Sequence, residues 1–136
     1  MNQDNNVFDK KIFILDDEED ILEVLTEALN SAGFHDIDTA IRGEEALEKI
    51  AQKKYDLLLL DIMMPEGING IDVLDKVKTN PDKYGTPIVI MLTNVGISST
   101  IKYAFEKGAD AYLNKMAMSN KSIIESVKKY LNGFRV

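Results

Sequence analysis

The chain has 136 residues, 45% hydrophobic and 29% charged, which is enough for one domain closed around a single core. A formal charge of −7 argues against direct nucleic-acid binding, because phosphate backbones need a basic footprint, and the absence of cysteine excludes disulfides and thiolate metal sites. No apolar run approaches the ~20 residues of a membrane helix, and the polar start "MNQDNNVFDKK" offers no secretory core, so a cytoplasmic protein without membrane contact is expected.

Residues 1–9 are expected to be a loose segment and 10–136 one compact domain. "KIFIL" (11–15) reads as a buried strand. In "ILEVLTEALNSAG" (21–33), Ile21, Leu25, Ala28 and Leu29 share a helical face, and Gly33 is placed to stop the helix. "HDIDTA" (35–40) alternates like a half-exposed edge strand, and "EEALEKIAQKK" (44–54) is an amphipathic helix. "DLLLLD" (56–61) is apolar on both faces, as the centre of a parallel sheet requires. A helix follows over 71–80, a buried strand over 86–92, a helix over 100–109, a short strand over 110–114 and a last helix over 121–133. Five strand–helix repeats imply a doubly wound, flavodoxin-like (βα)5 fold of the α/β class, its parallel sheet ordered 2-1-3-4-5.

In that order, ligands bind outside the carboxyl ends of strands 1 and 3. Strand 1 ends in Asp16 and Asp17, strand 3 in Asp61, so three carboxylates distant in sequence are expected to converge. Such a set either shares protons or holds a cation, and Mg2+ suits an all-oxygen site completed by a phosphate oxygen. The peptide after Asp61 curves past this point, which makes the backbone carbonyl of Met63 a further candidate ligand. Strands 4 and 5 run out at Thr93 and at Asn114 and Lys115, bringing a hydroxyl and an ammonium opposite the acids. A metal, a carboxylate nucleophile, a hydroxyl and a lysine are the parts of phosphoryl transfer to an aspartate. Plainer readings exist for each part. Asp17 could cap the first helix, while Glu18, Glu19 and Asp20 are read as favourable charges in its first turn. Asp61 and Thr93 could be strand-ending turn residues and Lys115 a solvated loop lysine. His35, beside Asp36 and Asp38, lacks a third fixed ligand and reads as a solvated edge; Met63, Met64, Met116 and Met118 read as loop and core filler.

From about residue 10 onward, "ILDDEED", "DLLLLDIMMPEGINGIDVL", "PIVIMLTN" and "KGADAYLNK" resemble the receiver domains of two-component response regulators. The resemblance implies that Asp61 is the phospho-acceptor, Asp17 a direct magnesium ligand, Asp16 a ligand through water, and the Met63 carbonyl part of the metal shell. It implies that Thr93 and Lys115 contact the phosphoryl group and that Tyr112 is the switch aromatic. The donor is then a histidine kinase or phosphotransfer protein. The output is read by another protein from the face of the fourth helix, fifth strand and fifth helix, with Ile97, Ile101, Lys102 and Tyr103 in or beside it. Such a receiver is a stand-alone signalling protein rather than an enzyme, and a monomer or a phosphorylation-dependent dimer.

The chain departs from the family pattern in three places. Met116 stands where a proline, often after a cis bond, usually follows the lysine; a trans Lys115–Met116 peptide is expected, since a cis bond before Met costs ~2.5–4 kcal/mol. Asn94 replaces a small residue, which bears on the lifetime of the phosphorylated state. "PEGING", between Pro65 and Gly70, is one residue longer than usual. Three rivals are set against the receiver. A docking module that keeps the fold without the chemistry is one. A magnesium-dependent phosphatase would need a second acid where Met63 stands. A flavin carrier would have its phosphate repelled by the five acids 16–20.

Overall fold

A computed structural model describes residues 7–64, 67–94 and 98–135. Its order is β1 (Lys11–Leu15), α1 (Glu19–Ala32), β2 (Asp36–Ala40), α2 (Gly43–Gln52), β3 (Leu57–Leu60), α3 (Gly70–Thr79), α4 (Pro81–Tyr84), β4 (Ile88–Thr93), α5 (Ser98–Glu106), β5 (Ala111–Asn114) and α6 (Asn120–Leu131). All four strand pairings are parallel and the sheet runs β2-β1-β3-β4-β5, the expected order.

The period of two along each strand builds two cores, one on each side of the sheet. Ile12, Ile14, Leu57, Leu59, Ile90 and Leu92 pack with α1 (Leu22, Leu25, Leu29) and α6 (Ile123, Ile124, Val127). Their neighbours Phe13, Leu15, Leu58, Leu60, Val89 and Met91 pack with α2 (Ala46, Ile50), α3 (Val73, Leu74, Val77), Tyr84 of α4 and Ala104 of α5. β3 is wholly buried because it is central, so each of its four leucines contributes about 1.5–3 kcal/mol of burial free energy. β2, at one edge, is only half-buried as expected, and Lys53 bridges Asp36 and Asp38 there at 2.6 and 2.9 Å.

Among the differences from the sequence expectation are those at residues 7–9, at Glu18 and at 81–84. Residues 7–9 are not loose: Val7 is buried, the Phe8 ring meets Phe34 edge-on at 5.1 Å, and Asp9 pairs with the exposed His35 at 2.9 Å. Burying Val7 and half-burying Phe8 offsets the cost of ordering so short a strap. α1 begins at Glu19, so Glu18 occupies the N-cap rather than the first turn, which holds Glu19 and Asp20. α4 was not expected at all; Pro81 at its first position and Gly85 just beyond it delimit a single turn. Gly33 stops α1 as expected, at φ +117°, with its N–H donating to Asn30 O. The Lys115–Met116 peptide is trans.

Candidate functional site

The carboxyl ends of β1, β3, β4 and β5 meet at one rim, and the sequence-predicted residues are there. Asp16 follows β1, and its N–H donates to Ala40 O of β2 at 3.2 Å. Asp61 follows β3, and its N–H donates to Leu15 O at 3.0 Å. These backbone bonds extend the sheet ladder by one residue, so each carboxylate leaves the sheet at a fixed angle. Asp16, Asp17 and Asp61 each offer an oxygen within 4.8 Å of the others. Asp16 and Asp61 are buried, at 1% and 4% exposure, whereas Asp17 opens to solvent.

The Lys115 ammonium lies between the two buried acids, 2.6 Å from Asp16 Oδ2 and 3.5 Å from Asp61 Oδ2. One cation against three carboxylates, two of them buried, leaves a formal charge near −2 at this rim. Burial pushes the Asp61 carboxyl up from 3.8 to about 6; Asp16 and, less, Asp17 repel its charged form, while Lys115 and the Met63 N–H only partly oppose them. Burial alone would lower the Lys115 ammonium, but its hydrogen bond to Asp16 and the charges of Asp16, Asp61 and Glu18 raise it, so it stays protonated. A compact, all-oxygen, under-neutralised donor set is the chemistry that Mg2+ fits.

Asp17 does not occupy the cap position of α1, which is Glu18, and the Glu18 side chain makes no capping hydrogen bond. Asp16 does turn back, accepting the Glu18 N–H on Oδ1 at 2.9 Å, which leaves Oδ2 for Lys115. Met63 is 62% exposed, and what reaches Asp61 is its amide, donating to Asp61 Oδ1 at 3.2 Å. That loop is seated on α3: a Cβ on Gly70 would lie 2.1 Å from Asp61 O, so only glycine allows the approach. The Asn69–Asp72 capping box fixes the start of α3 beside it. Pro65 and Glu66 lie outside the described residues.

Thr93 is fully buried at the end of β4, in register with Asn114, and its carbonyl accepts the Lys115 N–H at 3.0 Å. Tyr112 is in register with Met91 and packs half-buried on the second core, the side that holds α5. Asn94 is exposed. On α5, Lys102 and Tyr103 are exposed and Ile101 is partly so; Ile97 lies outside the described residues. Sequence reasoning missed the side chain of Asn114, whose oxygen accepts the Met116 N–H at 2.9 Å and the Ala117 N–H at 3.3 Å. An asparagine at a strand end followed by a residue with an N–H was the available signal.

The family model described as "Response regulator receiver domain" matches residues 12–128. The chain belongs to this family. Among relatives of the receiver is the transcriptional regulatory protein ResD of Bacillus subtilis, 38% identical over 131 residues, covering 96% of this chain and 50% of ResD. The phosphate regulon transcriptional regulatory protein PhoB of Rhizobium meliloti is 36% identical over 121 residues, covering 89% of this chain and 52% of PhoB. The receiver thus spans about half the length of the curated relatives it matches. Among solved structures, a CheY-like receiver domain protein from Methanospirillum hungatei superimposes with a TM-score of 0.79 at 29% identity, over 90% of this chain and 94% of that one. The BeF3-activated DrrB receiver domain does so at 0.76 and 27%, over 90% and 97%. A receiver is a signalling domain that works between histidine kinases and output domains. Among the described residues, no helix is long and apolar enough to cross a membrane.

Proposed function

We propose that this receiver acts in the cytoplasm, takes a phosphoryl group onto Asp61 from a histidine kinase or phosphotransfer protein in a Mg2+-dependent reaction, and passes the signal on through protein contacts. The observation that carries the reading is the meeting of Asp16, Asp17 and Asp61 within 4.8 Å, with the Lys115 ammonium in contact with both buried members. In the transfer, an Asp61 oxygen attacks phosphorus, the phosphorus–nitrogen bond of the donor phosphohistidine breaks, and the imidazole leaves with the bonding pair. Asp16, Asp17 and Asp61, with the Met63 carbonyl, would hold Mg2+, which when bound supplies positive charge to the phosphoryl oxygens. Lys115 supplies charge from the opposite side and Thr93 a hydroxyl donor. The Met63 N–H holds the Asp61 carboxylate still while it reacts.

The added charge, about −1.5 to −2, is the input to a population shift. Thr93 moves towards the phosphoryl group and Tyr112 fills the vacated space, two residues along the same face of the neighbouring strand. The surface of α5, β5 and α6, including Ile101, Lys102 and Tyr103, changes shape. A coupling of about 1–3 kcal/mol suffices. No separate substrate is turned over, so the chain is a phospho-accepting domain that assists its own phosphorylation rather than an enzyme.

The test is incubation with acetyl phosphate and Mg2+, followed by intact mass. A gain of one phosphate that is labile to hydroxylamine, needs Mg2+ and is absent from Asp61→Asn is expected. An unchanged mass, or equal uptake by the variant, refutes the assignment, and continuous phosphate release from assorted monoesters would favour a phosphatase instead.

A further inference from the structure

The turn after β5 is held by one residue. Asn114 accepts the Met116 and Ala117 N–H groups on its side-chain oxygen at 2.9 and 3.3 Å, and the Ala117 and Met118 N–H groups on its carbonyl at 3.2 and 3.1 Å. The Lys115 N–H is tied to Thr93 O at 3.0 Å on the sheet side. Lys115 is therefore clamped on both sides of its Cα, by β4 before it and by the Asn114 side chain after it. From that fixed backbone its ammonium reaches 2.6 Å from Asp16 and 3.5 Å from Asp61. Met116 itself makes no core contact, being 79% exposed; its contribution to the turn is an N–H, which a proline there would lack.

We propose that Asn114 is a positioning residue for Lys115: by taking the Met116 N–H, its side chain sets the backbone that delivers the ammonium into the acidic crevice. The inference deepens the phosphoryl-transfer reading and rests on it for its rate consequences. The Asx turn needs an oxygen acceptor at the same reach, which aspartate keeps and alanine loses.

Five proteins test it: the wild type, Asn114→Ala, Asn114→Asp, Lys115→Ala and the double variant Asn114→Ala with Lys115→Ala. The geometric half is read without phosphate. In Asn114→Ala the Met116 amide exchanges faster with solvent and the NMR contact between the Lys115 side chain and Asp16 fades; in Asn114→Asp both persist. With acetyl phosphate and Mg2+, Asn114→Ala takes up phosphate about tenfold more slowly, the loss of one hydrogen bond's worth of positioning. Asn114→Asp recovers most of that rate. The double variant is no slower than Lys115→Ala alone, because Asn114 acts through Lys115. A Met116 amide as protected in Asn114→Ala as in the wild type overturns the proposal. So does a wild-type uptake rate in that variant, or a double variant whose two losses multiply. If the wild type takes up no phosphate, the functional reading fails, and the exchange and NMR results alone decide the role of Asn114.

Discussion

Replacing Asp61 by asparagine should make the metal-free protein more stable, although it removes the residue proposed to take the phosphoryl group. The side chain keeps its shape and its oxygen for the Met63 N–H, and loses the charge that burial and Asp16 disfavour. A carboxyl held at about 6 in the folded chain, against 3.8 when unperturbed, binds its proton more tightly folded than unfolded. Folding stability therefore falls as pH rises through that window, and the full penalty, on the order of 3 kcal/mol, is present above about pH 6. Part of the gain is returned because Lys115 loses one of its two partners, so a net stabilisation of about 1–3 kcal/mol at pH 7.5 is expected. Urea melts of both proteins in EDTA, from about pH 4 to pH 8, would show the difference growing with pH and vanishing near pH 4. An asparagine variant no more stable than the wild type at pH 7.5, or a difference independent of pH, would refute the picture of a strained, under-neutralised acceptor.

Magnesium should reverse that ranking, raising the melting temperature of the wild type by mass action and moving Asp61→Asn much less. Asp17→Asn should weaken Mg2+ binding at least about tenfold by titration calorimetry while leaving the metal-free fold intact, since Asp17 opens to solvent. Gly70→Ala should cost about 2–4 kcal/mol and slow phosphorylation together, because the new Cβ, 2.1 Å from Asp61 O, must push the acceptor's own backbone aside; equal chemical denaturation midpoints would contradict this. Tyr55→Phe, which strips Asp38 of its hydroxyl partner, should cost about 1 kcal/mol in urea melts, with little effect on phosphate uptake.

The fold was legible wherever one period ran cleanly. The unbroken leucines of β3 announced a strand buried on both faces, and the alternation of Asp36 to Ala40 an edge. Asp16, Asp17, Asp61 and Lys115 could be brought together because strand order alone determines which chain ends are neighbours. What escaped depended on contacts rather than pattern. α4 is one turn long and carries no period, and the strap at Val7 and Phe8 is too short to separate from a polar tail. Asp61's high proton affinity could not be read either, since it arises from burial and from a partner 45 residues away in sequence. The Met63 amide went unread because it belongs to an irregular loop, where no period shows that its N–H turns onto Asp61 Oδ1.

The two hydrophobic layers share no side chain, because the sheet stands between them. Evolution can therefore redraw the α1–α6 flank without reopening the packing under α2, α3 and α5, and the costs of changes on opposite flanks should simply add.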